Sequence, residues 1–214
     1  MNPSQRRAIE IVRRIIPLLS VNEGQTELAV AGLIKQQLKK YGARPSFRII
    51  VASGRRSALP HGRATSRKMK KSELVVIDFG AVYNKYCSDV TRTFVVGKPA
   101  ARQKNIINIV NKAQALAIGA VRAGVKCSEV DRAAREYIKQ QGFGNYFIHS
   151  TGHGIGQKVH QAPKISRRNN RRLKAGQVIT IEPGIYIKGW GGIRIEDMFE
   201  VTKTGCKNLT KSKP

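Results

Sequence analysis

Two aspartates, Asp78 and Asp89, lie in one stretch made largely of β-branched, aromatic and small residues. The alternation on both sides of the Asn-Lys pair at positions 84–85 is typical of a β-hairpin with a two-residue turn. In that register Asp78 faces Thr91, and the two aspartates become diagonal neighbours on one face, about 5.5–8 Å apart at Cβ. Carboxylates this close repel unless they are paired, protonated or metal-bound, so the pair could ligate two adjacent cations. The alternative is an ordinary pair balanced by Arg92 or by solvent.

A histidine between two glycines, His153, could add an imidazole to these carboxylates. The flanking glycines let the backbone approach a ligand closely, and a second histidine, His160, follows seven residues later. A lone histidine is more often an ordinary polar residue, so it is the flanking glycines and the second histidine that favour a site here.

Two further carboxylates, Glu182 and Glu196, lie inside apolar segments near the end of the chain. The GWGG motif between them is a turn signal, and with a five-residue loop at 188–192 Ile187 would oppose Ile193. Glu182 and Glu196 then point to the same face of the sheet. Four carboxylates with one imidazole suit manganese, cobalt, iron or zinc, and they fit a two-metal centre better than a zinc-finger type of site.

The order and context of these residues resemble the pita-bread metallopeptidases, a group that includes methionine aminopeptidases, Xaa-Pro aminopeptidases and Xaa-Pro dipeptidases (prolidases). The similarity extends from about residue 27 to residue 209. The SALPH motif that ends at His61, the SDVTRTF run and the GGIRIED motif with Arg194 resemble the Xaa-Pro branch. Five residues match the metal ligands of the family: Asp78, Asp89, His153, Glu182 and Glu196.

The resemblance implies an α+β pita-bread fold, with a curved and mostly antiparallel sheet, outer helices and an internal pseudo-two-fold repeat. It also implies an exopeptidase that cleaves Xaa-Pro bonds of proline-containing peptides with a hydroxide bridging two divalent metal ions. Mn²⁺ is the first expectation for these ions, with Co²⁺, Fe²⁺ or Zn²⁺ as alternatives. Glu182 would also carry the proton from water to the leaving amine. His61 and His160 would hydrogen-bond the substrate and the tetrahedral intermediate. Tyr186 and Arg194 would orient the carboxylates.

Two other functions stay open at this point. A methionine aminopeptidase would usually lack Arg194 and show a different segment before the first active-site histidine. A non-catalytic relative that binds peptide or nucleic acid would have no need of all five ligands. The chain departs from the family at Gln161, where Glu is common, and at Lys85, where Gly is usual. Xaa-Pro enzymes usually carry a separate N-terminal domain, whereas we expect residues 1–214 to form a single catalytic domain without one, as a monomer or a homodimer.

Apolar periodicity predicts a strand at residues 47–52 and four helices, at residues 4–19, 26–41, 103–123 and 128–140. Together with the hairpins, these elements predict a helix–helix–strand–hairpin pattern that occurs twice, at about residues 4–95 and 103–201.

Composition predicts the class and location of the protein. With 214 residues, of which 41% are hydrophobic, the chain can bury a real core. No apolar run reaches the roughly 18 residues of a membrane span, and the first residues lack the features of a signal peptide. We therefore expect a cytoplasmic protein without a membrane partner. The three cysteines lie far apart with no CxxC motif, which argues against a disulfide framework or a zinc ribbon.

The charge of the chain is strongly positive: 40 Lys and Arg against 13 Asp and Glu give a net charge of +27. Such a field attracts polyanions and is screened by salt, so we expect weak, non-specific polyanion binding. The densest basic stretch covers residues 164–174. It is either a solvated loop or an anion-binding rim beside the catalytic cleft, and it lacks the aromatic residues of a single-strand nucleic-acid binder. The rim residues would be Arg167, Arg168, Arg171 and Arg172.

Overall fold

A helix pair followed by antiparallel strands occurs twice along the chain. The structure, a computed structural model, describes residues 1–211. Its α-helices are α1 Pro3–Ile15, α2 Glu27–Lys40, α3 Ala101–Ala120 and α4 Cys127–Gln140. Its strands are β1 Arg44–Pro45, β2 Ile50–Ser53, β3 Leu74–Phe79, β4 Ala81–Tyr83, β5 Tyr86–Cys87, β6 Val90–Val95, β7 Gly152–Gly154, β8 Gln161–Ile165, β9 Val178–Ile181, β10 Gly184–Ile187, β11 Gly191–Arg194, β12 Asp197–Val201 and β13 Cys206–Asn208. Three short 3₁₀ segments accompany them, at Ile16–Leu18, Gly54–Ala58 and Gly144–Tyr146.

Equivalent backbone hydrogen bonds relate the two halves. Helices α2 and α4 both have 14 residues. Ahead of α2 the amide of Gly24 donates to the carbonyl of Met69 at 2.9 Å, and ahead of α4 the amide of Gly124 donates to the carbonyl of Leu173 at 2.8 Å. The same local pattern of apolar residues and turns thus produces the same local structure in both halves, and the predicted internal repeat is confirmed.

All strand pairings within residues 1–211 are antiparallel. The first half forms the sheets β1–β4–β5 and β2–β3–β6, and the second half forms β10–β11 and β13–β12–β9–β7–β8. A bridge between Thr91 and Glu196 joins the halves at the edges where β6 begins and β11 has ended. The candidate site residues therefore lie where the two repeats meet.

Each half buries its own apolar core, and a third cluster lies between them. Because amphipathic helices must bury one apolar stripe, α1 and α2 pack on the strands of the first half with a core that includes Ile11, Ile34 and Ile77. Helices α3 and α4 pack against the later strands with a core that includes Ile106, Ile138 and Ile179. The cluster between them includes Ile9, Ile155 and Met198. The site is thus supported from both sides by well-packed elements.

The predicted helices form, and the predicted strand at residues 47–52 is displaced. Strand β2 begins only at Ile50, because the chain first pairs with β4 at Arg44 and Pro45 and then crosses to pair with β3. Phe47 and Arg48 lie in this crossing and line a cavity instead of a sheet.

No helix among residues 1–211 is both long enough and apolar enough to cross a membrane.

Candidate metal centre

The first hairpin has the predicted register. Tyr83 pairs with Tyr86 across the turn, and Asp78 pairs with Thr91. The turn residues at 84–85 both have positive φ, 44° and 70°, as a two-residue hairpin turn of type I′ requires. Lysine at position 85 therefore adopts the backbone conformation for which glycine is usually chosen.

The second hairpin differs from the prediction. Its loop has three residues instead of five, because Ile187 pairs with Gly191 and not with Ile193. A shift of two residues leaves every side chain on its original face, since side chains alternate with period two. Glu182 and Glu196 therefore still point toward the same side, as predicted.

The glycines of the GWGG motif belong to a strand as well as to the turn. A Cβ atom at Gly192 would lie 2.2 Å from the backbone carbonyl oxygen of Ser57. The amide of Gly192 donates to the Ser57 hydroxyl at 2.8 Å. Glycine here allows the segment that leads to His61 to pack directly on β11. Because these glycines belong to the strand, the predicted loop was two residues too long.

The predicted metal ligands converge on the floor of one cavity. Ligand atoms of Asp89, His153 and Glu196 all lie within 4.8 Å of one another. The Nε2 atom of His153 lies 3.3 Å from Glu182 Oε1 and 3.7 Å from Asp89 Oδ2. Asp78 lines the same cavity. The structure thus brings together all five residues that the sequence analysis singled out.

Three carboxylate oxygens at this floor have no hydrogen-bond partner among the described residues. They are Asp78 Oδ1, Asp89 Oδ1 and Glu196 Oε1. A buried polar atom without a partner is unfavourable by roughly 1–3 kcal/mol, and more when it carries charge. Unpaired oxygens from three different carboxylates that line one cavity are a donor set that suits divalent cations. The residues present therefore fit a metal centre.

The pKa values in the cluster reflect crowded negative charge. Burial, followed by repulsion from neighbouring carboxylates, raises the pKa of Asp89 and that of Glu196 well above their usual range. Burial raises the pKa of Glu182 to about 7. Burial lowers the pKa of His153 to about 4, so its imidazole is neutral and can act as a ligand. Bound cations would offset the repulsion among these carboxylates.

Arg194 connects the metal-facing carboxylates to the protein. Its guanidinium is buried and donates to Asp78 Oδ2 at 2.7 Å, to the hydroxyl of Tyr186 at 2.7 Å and to Thr91 Oγ1 at 3.1 Å. Thr91 in turn donates to Glu196 Oε2 at 2.7 Å. Each of two carboxylates thus has one oxygen held by the protein and the other left free.

Two members of this network, Thr91 and His149, were missed by the sequence analysis. The Nε2 atom of His149 lies 2.8 Å from the hydroxyl of Tyr186, and its ring meets Phe147 edge-on. Burial lowers the pKa of His149 to about 4, so this ring is neutral as well. Thr91 lies in the SDVTRTF run and faces Asp78 in the predicted hairpin, but its hydrogen bond to Glu196 spans 105 residues, and the contact of His149 with Tyr186 spans 37, so neither partner could be predicted locally.

The two predicted substrate-binding histidines lie at the cavity wall. His61 and His160 are exposed and line the cavity. The ring of His160 lies edge-on to that of His153, with centroids 4.3 Å apart. His61 and His160 thus lie above the ligand cluster and outside it.

The predicted anion-binding rim is only partly at the cavity. Arg171 lines it, whereas Arg167 and Arg168 do not. Arg172 donates to the carbonyl of Gly124 at 2.7 Å and so contributes to the connection before α4. The cavity has a volume of about 930 Å³. Its walls include the apolar side chains of Phe47, Ile50, Pro60, Val159 and Pro163.

Comparison with known proteins agrees with this geometry. The model of metallopeptidase family M24 matches residues 1–203. The chain is 48% identical over 209 residues to the Xaa-Pro dipeptidase of Pyrococcus furiosus, a match that covers 96% of this chain and 60% of that protein. The chain belongs to metallopeptidase family M24.

Solved structures show the same fold. The prolidase structure from Pyrococcus furiosus matches with a TM-score of 0.96 at 47% identity, covering 99% of this chain and 64% of that one. The X-Pro aminopeptidase structure from Thermotoga maritima matches with a TM-score of 0.93 at 42% identity, covering 98% and 60%. The fold is therefore the pita-bread fold, and the chain spans about 60% of the length of the curated relative from Pyrococcus furiosus.

Proposed function

We propose that this protein is a metal-dependent exopeptidase that hydrolyses Xaa-Pro peptide bonds. The observation that carries the proposal is the convergence of four carboxylates and one imidazole, with three free carboxylate oxygens, in a single cavity. The similarity to a protein named Xaa-Pro dipeptidase supports the choice of bond. The proposed ligands are Asp78, Asp89, His153, Glu182 and Glu196.

Two divalent ions held by these residues, with Mn²⁺ as the first candidate, would activate a water molecule as the nucleophile and polarise the scissile carbonyl. Glu182 would take a proton from the attacking water and deliver it to the leaving nitrogen. Its side chain lines the cavity and is 16% exposed, and its Oε1 atom accepts one long hydrogen bond of 3.4 Å from Thr180. Tyr186 and Arg194 would keep the carboxylates in place through the contacts described above.

The cavity wall would supply substrate recognition. The nitrogen of an Xaa-Pro bond carries no hydrogen, so the ring must be recognised by shape and the bond through its carbonyl. The apolar wall formed by Phe47, Ile50 and Pro163 suits a pyrrolidine ring. His61 and His160 would donate to the carbonyl oxygen as it becomes negatively charged.

The direct test compares three peptides with and without metal. Met-Pro, Ala-Pro-Ala and Met-Ala-Ser are incubated with protein that has been stripped by a chelator and reloaded with Mn²⁺ or Co²⁺. We expect metal-dependent cleavage of one or both proline peptides and none of Met-Ala-Ser. Cleavage of Met-Ala-Ser alone would indicate a methionine aminopeptidase. No cleavage by metal-loaded protein would overturn the proposal.

Replacement of His160 by alanine should lower turnover much more than metal content. The ring lies against His153 but is exposed and has no carboxylate partner among the described residues, so it does not belong to the ligand cluster. Loss of one such hydrogen-bond donor lowers turnover by about 10²–10³-fold in other enzymes. Turnover and bound metal are measured on the same sample, with inductively coupled plasma mass spectrometry for the metal. A proportional loss of both would show that His160 is a ligand.

A further inference from the structure

The walls of the cavity above the metal centre carry four cationic side chains. Arg48 and Arg63 belong to the first half of the chain, and Lys164 and Arg171 to the second. The first two lie near each other because Arg63 forms a backbone bridge with Ile50, two residues after Arg48. Cations thus line the cavity from both of its walls.

These four side chains have no acidic partner among residues 1–211. All are exposed, and none forms an ion pair or a side-chain hydrogen bond within the described part of the chain. The acidic residues that line the cavity are the proposed metal ligands, and of these Asp78, Asp89 and Glu196 are buried at its floor. The wall of the cavity is therefore positive and available to a ligand, whereas its floor is negative and available to cations.

We infer that this positive wall selects substrates with an acidic side chain on the residue that precedes proline. The inference rests on the proposed function and specifies its substrate class. Proline has no ionisable side chain, so in an Xaa-Pro substrate a charged wall can discriminate only through the preceding residue or through the free carboxyl terminus. The carboxyl terminus is common to all dipeptides, so it cannot distinguish one dipeptide from another. A side-chain carboxylate adds a second anion, which the cations of the second wall can bind.

The test compares two dipeptides of equal shape, Glu-Pro and Gln-Pro, with the metal-loaded protein. Both have the same carboxyl terminus, so any difference comes from the side-chain carboxylate. At low salt we expect the KM for Glu-Pro to be about threefold to tenfold lower than the KM for Gln-Pro, as one or two exposed ion pairs would give. The difference should shrink at roughly 0.5 M salt, because exposed pairs are screened. Ala-Pro and its amide measure separately the contribution of the carboxyl terminus.

Variants locate the effect. The triple variant Arg48→Gln, Arg63→Gln, Arg171→Gln removes three of the four cations. Lys164 is retained because its backbone pairs with that of His153, a proposed ligand. The matched control is Arg167→Gln with Arg168→Gln, which removes charge from the same exposed loop without touching the cavity wall.

We expect the triple variant to raise the KM for Glu-Pro most of the way to that for Gln-Pro, since only Lys164 remains on the wall, while turnover of Gln-Pro shows that the variant is folded. The control should keep the preference for Glu-Pro. Equal KM values for the two peptides with the unaltered protein would overturn this inference alone. Equal loss of preference in the control would overturn it too, because the effect would then be one of net charge. Failure to cleave either peptide would overturn the proposed function and this inference with it.

Discussion

Replacement of Asp89 by asparagine is expected to abolish peptide hydrolysis and to remove most of the bound metal while the protein stays folded. The carboxylate of Asp89 is buried among other carboxylates, one of its oxygens has no partner among the described residues, and no described cation pairs with it. Asparagine keeps the shape but removes the negative charge that holds a cation. It also removes a repelling charge, so the free energy of unfolding without metal should change by less than about 1 kcal/mol. Glu196→Gln should behave in the same way.

Metal content, turnover and circular dichroism on one preparation test this prediction. The matched control is Asp197→Asn, a neighbouring carboxylate that faces away from the centre. Asp197 accepts from Arg92 at 2.8 Å and from Thr210 at 2.8 Å, so its replacement should lower stability and spare metal. Near-normal metal and turnover in Asp89→Asn would refute its assignment as a ligand.

Replacement of Glu27 by glutamine is expected to lower the free energy of unfolding by about 3 kcal/mol. Glu27 is fully buried at the start of α2. Its carboxylate accepts from the amide and hydroxyl of Ser53, both at 2.8 Å, and from the amide and hydroxyl of Thr65, at 3.0 and 2.7 Å. A glutamine would direct its own N–H groups at two of these donors. Ser53 and Thr65 flank the segment that carries His61, so turnover should fall as well.

Urea denaturation followed by circular dichroism measures the effect on stability. Glu136→Gln is the control, because Glu136 is exposed in α4 and lies 4.0 Å from the Lys139 ammonium. The control should change stability by less than about 0.5 kcal/mol. A loss below about 1 kcal/mol for Glu27→Gln would mean that the buried carboxylate contributes no more than a surface residue.

The second half of the chain has a comparable anchor in Asp131. Its carboxylate is fully buried and accepts from the amide and hydroxyl of Thr151 at 3.2 and 2.8 Å. It also pairs with Arg135, which donates to the carbonyls of Phe147 and His149. Each repeat therefore uses one buried acid from a helix to position a segment that leads to the cavity. Glu27 and Asp131 thus stabilise the two repeats and take no part in the metal centre.

Local chemistry explains what could be predicted from the sequence. Side chains in a strand alternate between two faces, so the alternation around Asp78 and Asp89 was enough to determine both the register of their hairpin and the face they share. By the same alternation Glu182 and Glu196 were correctly placed on one face, although the predicted length of the loop between their strands was wrong. The donor types then indicated a metal centre, because carboxylates in apolar strands need a counter-charge.

Contacts between distant residues explain what only the tertiary structure decided. His149 becomes part of the site through Tyr186, and Arg194 reaches Asp78 from 116 residues away. The sequence predicted Gly192 as a turn residue, whereas in the structure it lies in β11, where the close backbone of Ser57 excludes a side chain. Among many similar cations, Arg171 lines the cavity and Arg167 does not. Each of these outcomes depends on which segments the two repeats bring face to face. The pattern of residues along one segment does not indicate which distant segment will pack against it.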